Sequence, residues 1–137
     1  MSRKNTLVTQ LGPNGAGTAA TSFSMATSFV SPPTIVRYLD NCSVQINITT
    51  TDSTGTFAIQ ASNDYYVNEG NDSVVVNSGT WVPLTLAGGT PYSSGANDQI
   101  IINLNQLPFY AIRVAYTATI AGTGTCTVYL AHKQIGG

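Results

Sequence analysis

Cys42-Ser43-Val44-Gln45-Ile46-Asn47-Ile48-Thr49 alternates apolar and polar residues without a break. A period of two puts Cys42, Val44, Ile46 and Ile48 on one face and the polar residues on the other, the pattern of a half-buried strand. The same reading extends outward along the chain. Phe57, Ile59 and Ala61 share one face of Thr56–Ser62. Tyr110, Ile112, Val114 and Tyr116 alternate with Ala111, Arg113, Ala115 and Thr117, and Cys126, Val128 and Leu130 with Thr125, Thr127 and Tyr129. Ile100, Ile102 and Leu104 form another set. Weaker strands are predicted at Thr6–Gln10, Ser22–Thr27, Thr34–Leu39, Val74–Asn77 and Thr80–Leu86.

Turn residues punctuate these segments. Asp52-Ser53-Thr54-Gly55 and Ala121-Gly122-Thr123-Gly124 are each predicted to close a hairpin. Ser31-Pro32-Pro33 interrupts the chain before Thr34, and Gly88–Pro91 with Ser93–Asp98 reads as a longer loop. No run of a dozen residues has the 3.6 period without Gly, Pro or β-branched interruptions. Short strands with turns at this spacing predict an all-β, antiparallel, jelly-roll-like sandwich of about eight to nine strands, with essentially no helix. Residues 1–30 are read as an N-terminal arm with the first strands, ordered on a partner, and 31–137 as the sandwich domain.

Composition narrows the function classes. Only 8% of the 137 residues are charged against 42% hydrophobic, so the chain can bury a core and presents few charges around it. The net charge is −1 and no basic patch is present, which argues against nucleic-acid binding. No apolar run reaches the ~20 residues of a membrane-spanning helix. Asn5 to Thr21 lacks the apolar stretch of a secretory signal, so none is expected. Cys42 and Cys126 both fall on inward positions and are expected as buried thiols; a bridge between them depends on strand order.

Catalytic and cofactor motifs are sparse. Gly12-Pro13-Asn14-Gly15-Ala16-Gly17-Thr18 begins like a phosphate-binding loop but lacks its Lys and a following helix, so it reads as a turn. His132 is the single histidine and is expected to be structural. Cys126 lies six residues from it, ~20 Å along a strand, too far for a nucleophile–base pair. A Cys42–His132 pair depends on strand order, and two Cys with one His lack zinc-site spacing. No enzyme activity and no cofactor are expected.

The remaining candidates are surfaces. Asn63–Asp72 carries Asp64, Glu69 and Asp72, a weak Ca²⁺ candidate without EF-hand spacing. Its Tyr65 and Tyr66 suit a recognition tip. Trp81, out of phase with Val82, Leu84 and Leu86, is expected to be partly exposed, as an anchor or a sugar-stacking platform with Tyr65, Tyr66 or Tyr92. Arg113 stands opposite in parity to an apolar strand face and is expected at the solvent or at an interface.

Gly55–Asp64, Trp81-Val82-Pro83-Leu84, Tyr110–Thr117 and Gly122–Val128 together resemble a group of small tailed-bacteriophage virion structural proteins. The resemblance spans about residues 40–133. It implies a virion-located, non-enzymatic β-sandwich: a capsid decoration (cement) or head-fibre component, with a tail, baseplate or glycan-binding host-attachment module as the alternative. It implies the major capsid or other virion proteins as partners and a homo-oligomer, taken as a trimer. The segment Tyr65–Gly79 is longer than the resemblance leads one to expect and is read as an insertion that contacts a partner.

Overall fold

The computed structural model describes residues 5–12, 15–16, 22–36, 41–68, 70–105 and 108–134. The period-two segments are its strands. They are β1 (Asn5–Gly12), β2 (Gly15–Ala16), β3 (Phe23–Ser24), β4 (Phe29–Val30), β5 (Thr34–Ile35), β6 (Asn41–Thr49) and β7 (Thr54–Ser62). They continue as β8 (Tyr66–Asn68), β9 (Asn71–Asn77), β10 (Val82–Pro83), β11 (Tyr92–Ser94), β12 (Asp98–Asn105), β13 (Ala111–Ile120) and β14 (Thr125–Gln134). All described pairings are antiparallel, and the described residues contain no helix. The count exceeds the eight or nine strands expected because Gly and Pro break several edges into two- and three-residue pieces.

Two six-stranded sheets face each other. The first runs β12-β6-β14-β1-β2, with β3 on β14 beside β1. The second is built on β7 and β13. Its outer sides are each shared by two fragments: β10 and β11 on β7, β4 and β5 on β13. Between β4 and β5 the Pro32-Pro33 pair cannot donate to the ladder. Buried Ser31 repairs the gap: its N–H donates to Val114 O (2.7 Å) and its Oγ accepts the Val114 N–H (2.8 Å).

The core is what the alternation predicts. Val44, Ile46, Ile48, Val128 and Leu130 from the first sheet meet Phe57, Ile59, Ile112, Val114 and Tyr116 from the second. Each such side chain, once buried, contributes about 1.5–3 kcal/mol. Phe23 stacks on Phe29 at 4.4 Å, and Phe29 and Phe57 flank Tyr116 at 5.3 and 4.8 Å. The first strand, β1, pairs with β14 from Asn5 to Leu11, and Leu11 joins the core. Of the weaker predicted strands, Ser22–Thr27 and Thr80–Leu86 shrink to two residues each, and Thr34–Leu39 is a strand at Thr34–Ile35 among its described residues. Residues 37–40 lie outside the description.

The two predicted hairpins are a correction. Asp52–Gly55 and Ala121–Gly124 each carry the chain from one sheet to the other, because β6 and β14 belong to the first sheet and β7 and β13 to the second. Alternating strands signal a buried face but not which sheet carries it. The two arches lock together through side chains. Thr50 Oγ1 accepts the Ser53 N–H (2.9 Å), Ser53 Oγ accepts the Gly124 N–H (3.1 Å), and Asp52 Oδ1 accepts the Thr123 N–H (3.0 Å). A Cβ on Gly122 would overlap Asp52 Oδ1 and Ser53 Oγ, which explains the glycine there.

Candidate functional site

At the far end of β7 the chain leaves the second sheet and returns as the β8–β9 hairpin. What holds this hairpin is a small apolar cluster on the outer side of the sheet, separate from the main core. Tyr65, Val67 and Ala111 are buried in it, with Ile35, Trp81 and Tyr110 packed against them. Tyr65 lies 5.6 Å from the Trp81 ring and 6.3 Å from Tyr110, ring centroid to centroid. Tyr65, predicted as a contact residue, is therefore an anchor turned inward.

Arg113 completes the cluster. It sits opposite Gln60 in the β7–β13 ladder, and its Nε donates to Gln60 Oε1 at 2.7 Å. That bond aims the guanidinium over the Trp81 ring, with Cζ 4.5 Å from the centroid. The ring's electron-rich face attracts the cation, and partial burial lowers the Arg113 pKa from its ordinary value. Trp81 is half-buried, and its Nε1–H donates to Ser78 O (2.9 Å). The structure thus brings together two residues, Trp81 and Arg113, that lie 32 positions apart in the sequence.

Asp64 closes the hairpin base. Its Oδ1 accepts from the Thr80 N–H and from Ser62 Oγ, both at 2.7 Å. The Thr80 bond, then the Ser62 bond, lower its pKa by favouring the carboxylate. Gly79 turns with φ +82° beside Ser62 and Tyr65, where a side chain would be strained and would crowd both. Of the two other acids in the Ca²⁺ candidate, Glu69 lies outside the described residues and only the backbone of Asp72, in β9, is described. Among the described residues no group of three His, Cys, Asp or Glu could hold a metal.

Beyond this base the hairpin exposes four apolar side chains among its polar ones. Tyr66, Val74, Val75 and Val76 are between 43% and 60% exposed. Val67 in β8 is covered by the cluster, whereas the three adjacent valines of β9 are not. The pairing register shifts twice, between Tyr66, Val67 and Asn68, so the ribbon is bent. Tyr92 is elsewhere. It pairs with Thr56 near the opposite end of β7 and lines a groove of about 500 Å³ with Leu86, Ile100 and Ile102. The predicted aromatic contacts therefore divide: Trp81 and Tyr65 in the cluster, Tyr66 on the hairpin and Tyr92 at the groove. Sequence reading places Val74–Asn77 in a weak strand within the partner-contacting insertion Tyr65–Gly79 but names none of its valines as a contact residue, although Val74-Val75-Val76 stands as an apolar run.

The thiols are settled by register. Cys42 lies opposite His132 and Cys126 opposite Ile48, so the cysteines are six positions apart on neighbouring strands, ~20 Å, and both are free. Cys42 and His132 are cross-strand neighbours. Burial pushes the Cys42 thiol up to about 11 and the Cys126 thiol to about 12, away from the reactive thiolate.

No family model and no curated protein sequence matches the chain. The fold is similar to the crystal structure of the SPBc2 prophage-derived protein YomS. The TM-score is 0.54 at 7% sequence identity, with 98% of this chain and 97% of that chain covered. At this identity the likeness concerns the fold.

Proposed function

We propose that this chain is a non-enzymatic structural protein of a bacteriophage virion that acts by protein–protein assembly, as a capsid decoration or head-fibre component. The observation that carries the reading is the hairpin: a dedicated cluster of Tyr65, Trp81 and Arg113 holds out a ribbon whose valines face solvent. Exposed apolar groups on a held element mark a contact surface. The low charge and the fold shared with a prophage-derived protein support the same reading. The raised Cys42 pKa beside His132 supports a role without nucleophilic chemistry.

The glycan-binding alternative has less behind it. One face of Trp81 is taken by Arg113, Tyr65 is buried, and Tyr66 and Tyr92 lie at different ends of the second sheet. The test is direct. Phage particles from a host carrying the gene are purified by density gradient and examined by mass spectrometry. The chain is expected among the particle proteins, and Val75→Asp/Val76→Asp is expected to remove it from particles while the chain stays folded. Its absence from purified particles would sink the proposal.

A further inference from the structure

Both outer sides of the second sheet are broken into short pieces. On one side Pro83 lies in two-residue β10 and Pro91 precedes three-residue β11; on the other Pro32-Pro33 separates β4 from β5. Short strands and prolines at edges prevent unwanted pairing with another chain. Edge strand β12 in the first sheet has neither device. Its eight residues, Asp98–Asn105, pair with β6 without a register shift, and no described backbone group bonds to its other side. Gln99-Ile100-Ile101-Ile102-Asn103-Leu104 contains no charge and no proline. Ile101 is 65% exposed on the outward face. A long, regular, uncharged edge of this kind is a template for strand addition.

We infer that β12 pairs with β12 of a second copy, antiparallel about a two-fold axis at Ile101, joining the two first sheets into one continuous sheet. This rests on the assembly reading above and gives it a two-fold contact in place of the trimer that the resemblance implied. The sequence of the edge is self-complementary in that register. Ile101 meets Ile101, Ile100 meets Ile102, and Gln99 meets Asn103, an amide pair able to bond across the seam. Asp98, the one charge, meets Leu104, so no like charges oppose each other. The Gln99 N–H already turns to Asp98 Oδ1 (2.8 Å), which caps the strand at its start. By the two-residue period the amides of Ile101 and Asn103 point the same way as that of Gln99, toward the incoming strand. A contact of identical patches closes at two copies. The groove walls Leu86 and Tyr92 then flank the seam.

The experiment is the solution mass of the full chain by light scattering after gel filtration, over a range of concentrations, with Ile101→Lys and Ile101→Glu beside it. Because Ile101 is exposed, both variants should fold, which circular dichroism checks. The parent is expected at twice the 14.3 kDa chain mass and each variant at the single mass. An equimolar mixture of the two variants should return to the double mass, since Lys then meets Glu at the axis. A parent that is monomeric or trimeric overturns the inference. So does a dimer that neither variant dissociates, or a mixture that stays monomeric. The particle experiment is independent: a monomer found in virions defeats the β12 pairing and leaves the virion reading standing, and a β12 dimer absent from virions does the reverse.

Discussion

Strand β7 is held at each end by a buried serine, and the two ends are built differently. At its start, Ser53 is fully buried. Its Oγ accepts the Gly124 N–H, its carbonyl accepts from Ser93 Oγ (2.8 Å), and its N–H donates to Thr50 Oγ1. Thr50 and Gly124 lie in the two arches at that end of the sandwich and Ser93 in β11 beside them, so the network closes on itself. At the far end, Ser62 Oγ accepts the Tyr65 N–H (3.1 Å) and donates to Asp64, whose other partner is Thr80. That network opens outward, through an exposed carboxylate and a cation–aromatic stack, to the hairpin. The first end fixes how two sheets are joined. The second fixes where the exposed ribbon is held, through short bonds to a carboxylate rather than through the core.

This contrast can be broken first at Gly55. A Cβ there would overlap Thr117 O and the ring of Tyr116, neither of which can yield without moving the core. Gly55→Ala is expected to cost about 3 kcal/mol or more, read as a lower urea midpoint with unchanged slope. Ser53→Ala should follow at about 1–3 kcal/mol, because it strands the buried Gly124 N–H without an acceptor. A far end as sensitive as these two would erase the distinction.

Trp81→Ala acts at the far end. Loss of the Arg113 and Tyr65 contacts should lower global stability by about 1–2 kcal/mol. Amide exchange in Asn71–Asn77 should quicken far more than in β6 or β13. Equal acceleration everywhere would mean that the cluster belongs to the main core.

Asp64→Asn is expected to have the smallest effect and to change its pH dependence. The carboxyl is more acidic in the folded chain than in the unfolded one, so its contribution is present above the ordinary carboxylate range and is lost as pH falls through the lowered folded value. The parent should show faster Thr80 amide exchange, corrected for intrinsic rate, in that acid window. Asp64→Asn should be loosened already at neutral pH and show no such step. A parent profile without the step would remove Asp64 from the hairpin base.

The residues themselves show how much was legible. Val44, Ile46, Phe57, Ile59, Val114 and Val128 were assigned to a buried face by parity alone, and all are buried. Trp81 was placed out of phase with its neighbours and is half-buried. The turns at Asp52 and Ala121 cross between sheets where their sequence predicts hairpins, because a turn signal gives a change of direction and not the sheet that the next strand joins. Tyr65 reads as part of a polar recognition loop, because no local pattern shows that Trp81 and Tyr110 return to cover it.

That this chain is made of strands with one apolar side is already set by the order of its residues, since the two-residue period follows from the geometry of an extended backbone whatever the strand pairs with. Folding in three dimensions sets which strands share a sheet, that Cys42 faces His132 and not Cys126, and that Arg113 lies on Trp81. It alone left β12 as an unbroken edge. Those facts depend on register between segments tens of residues apart, and register is fixed by the joint packing of two faces that no single segment contains.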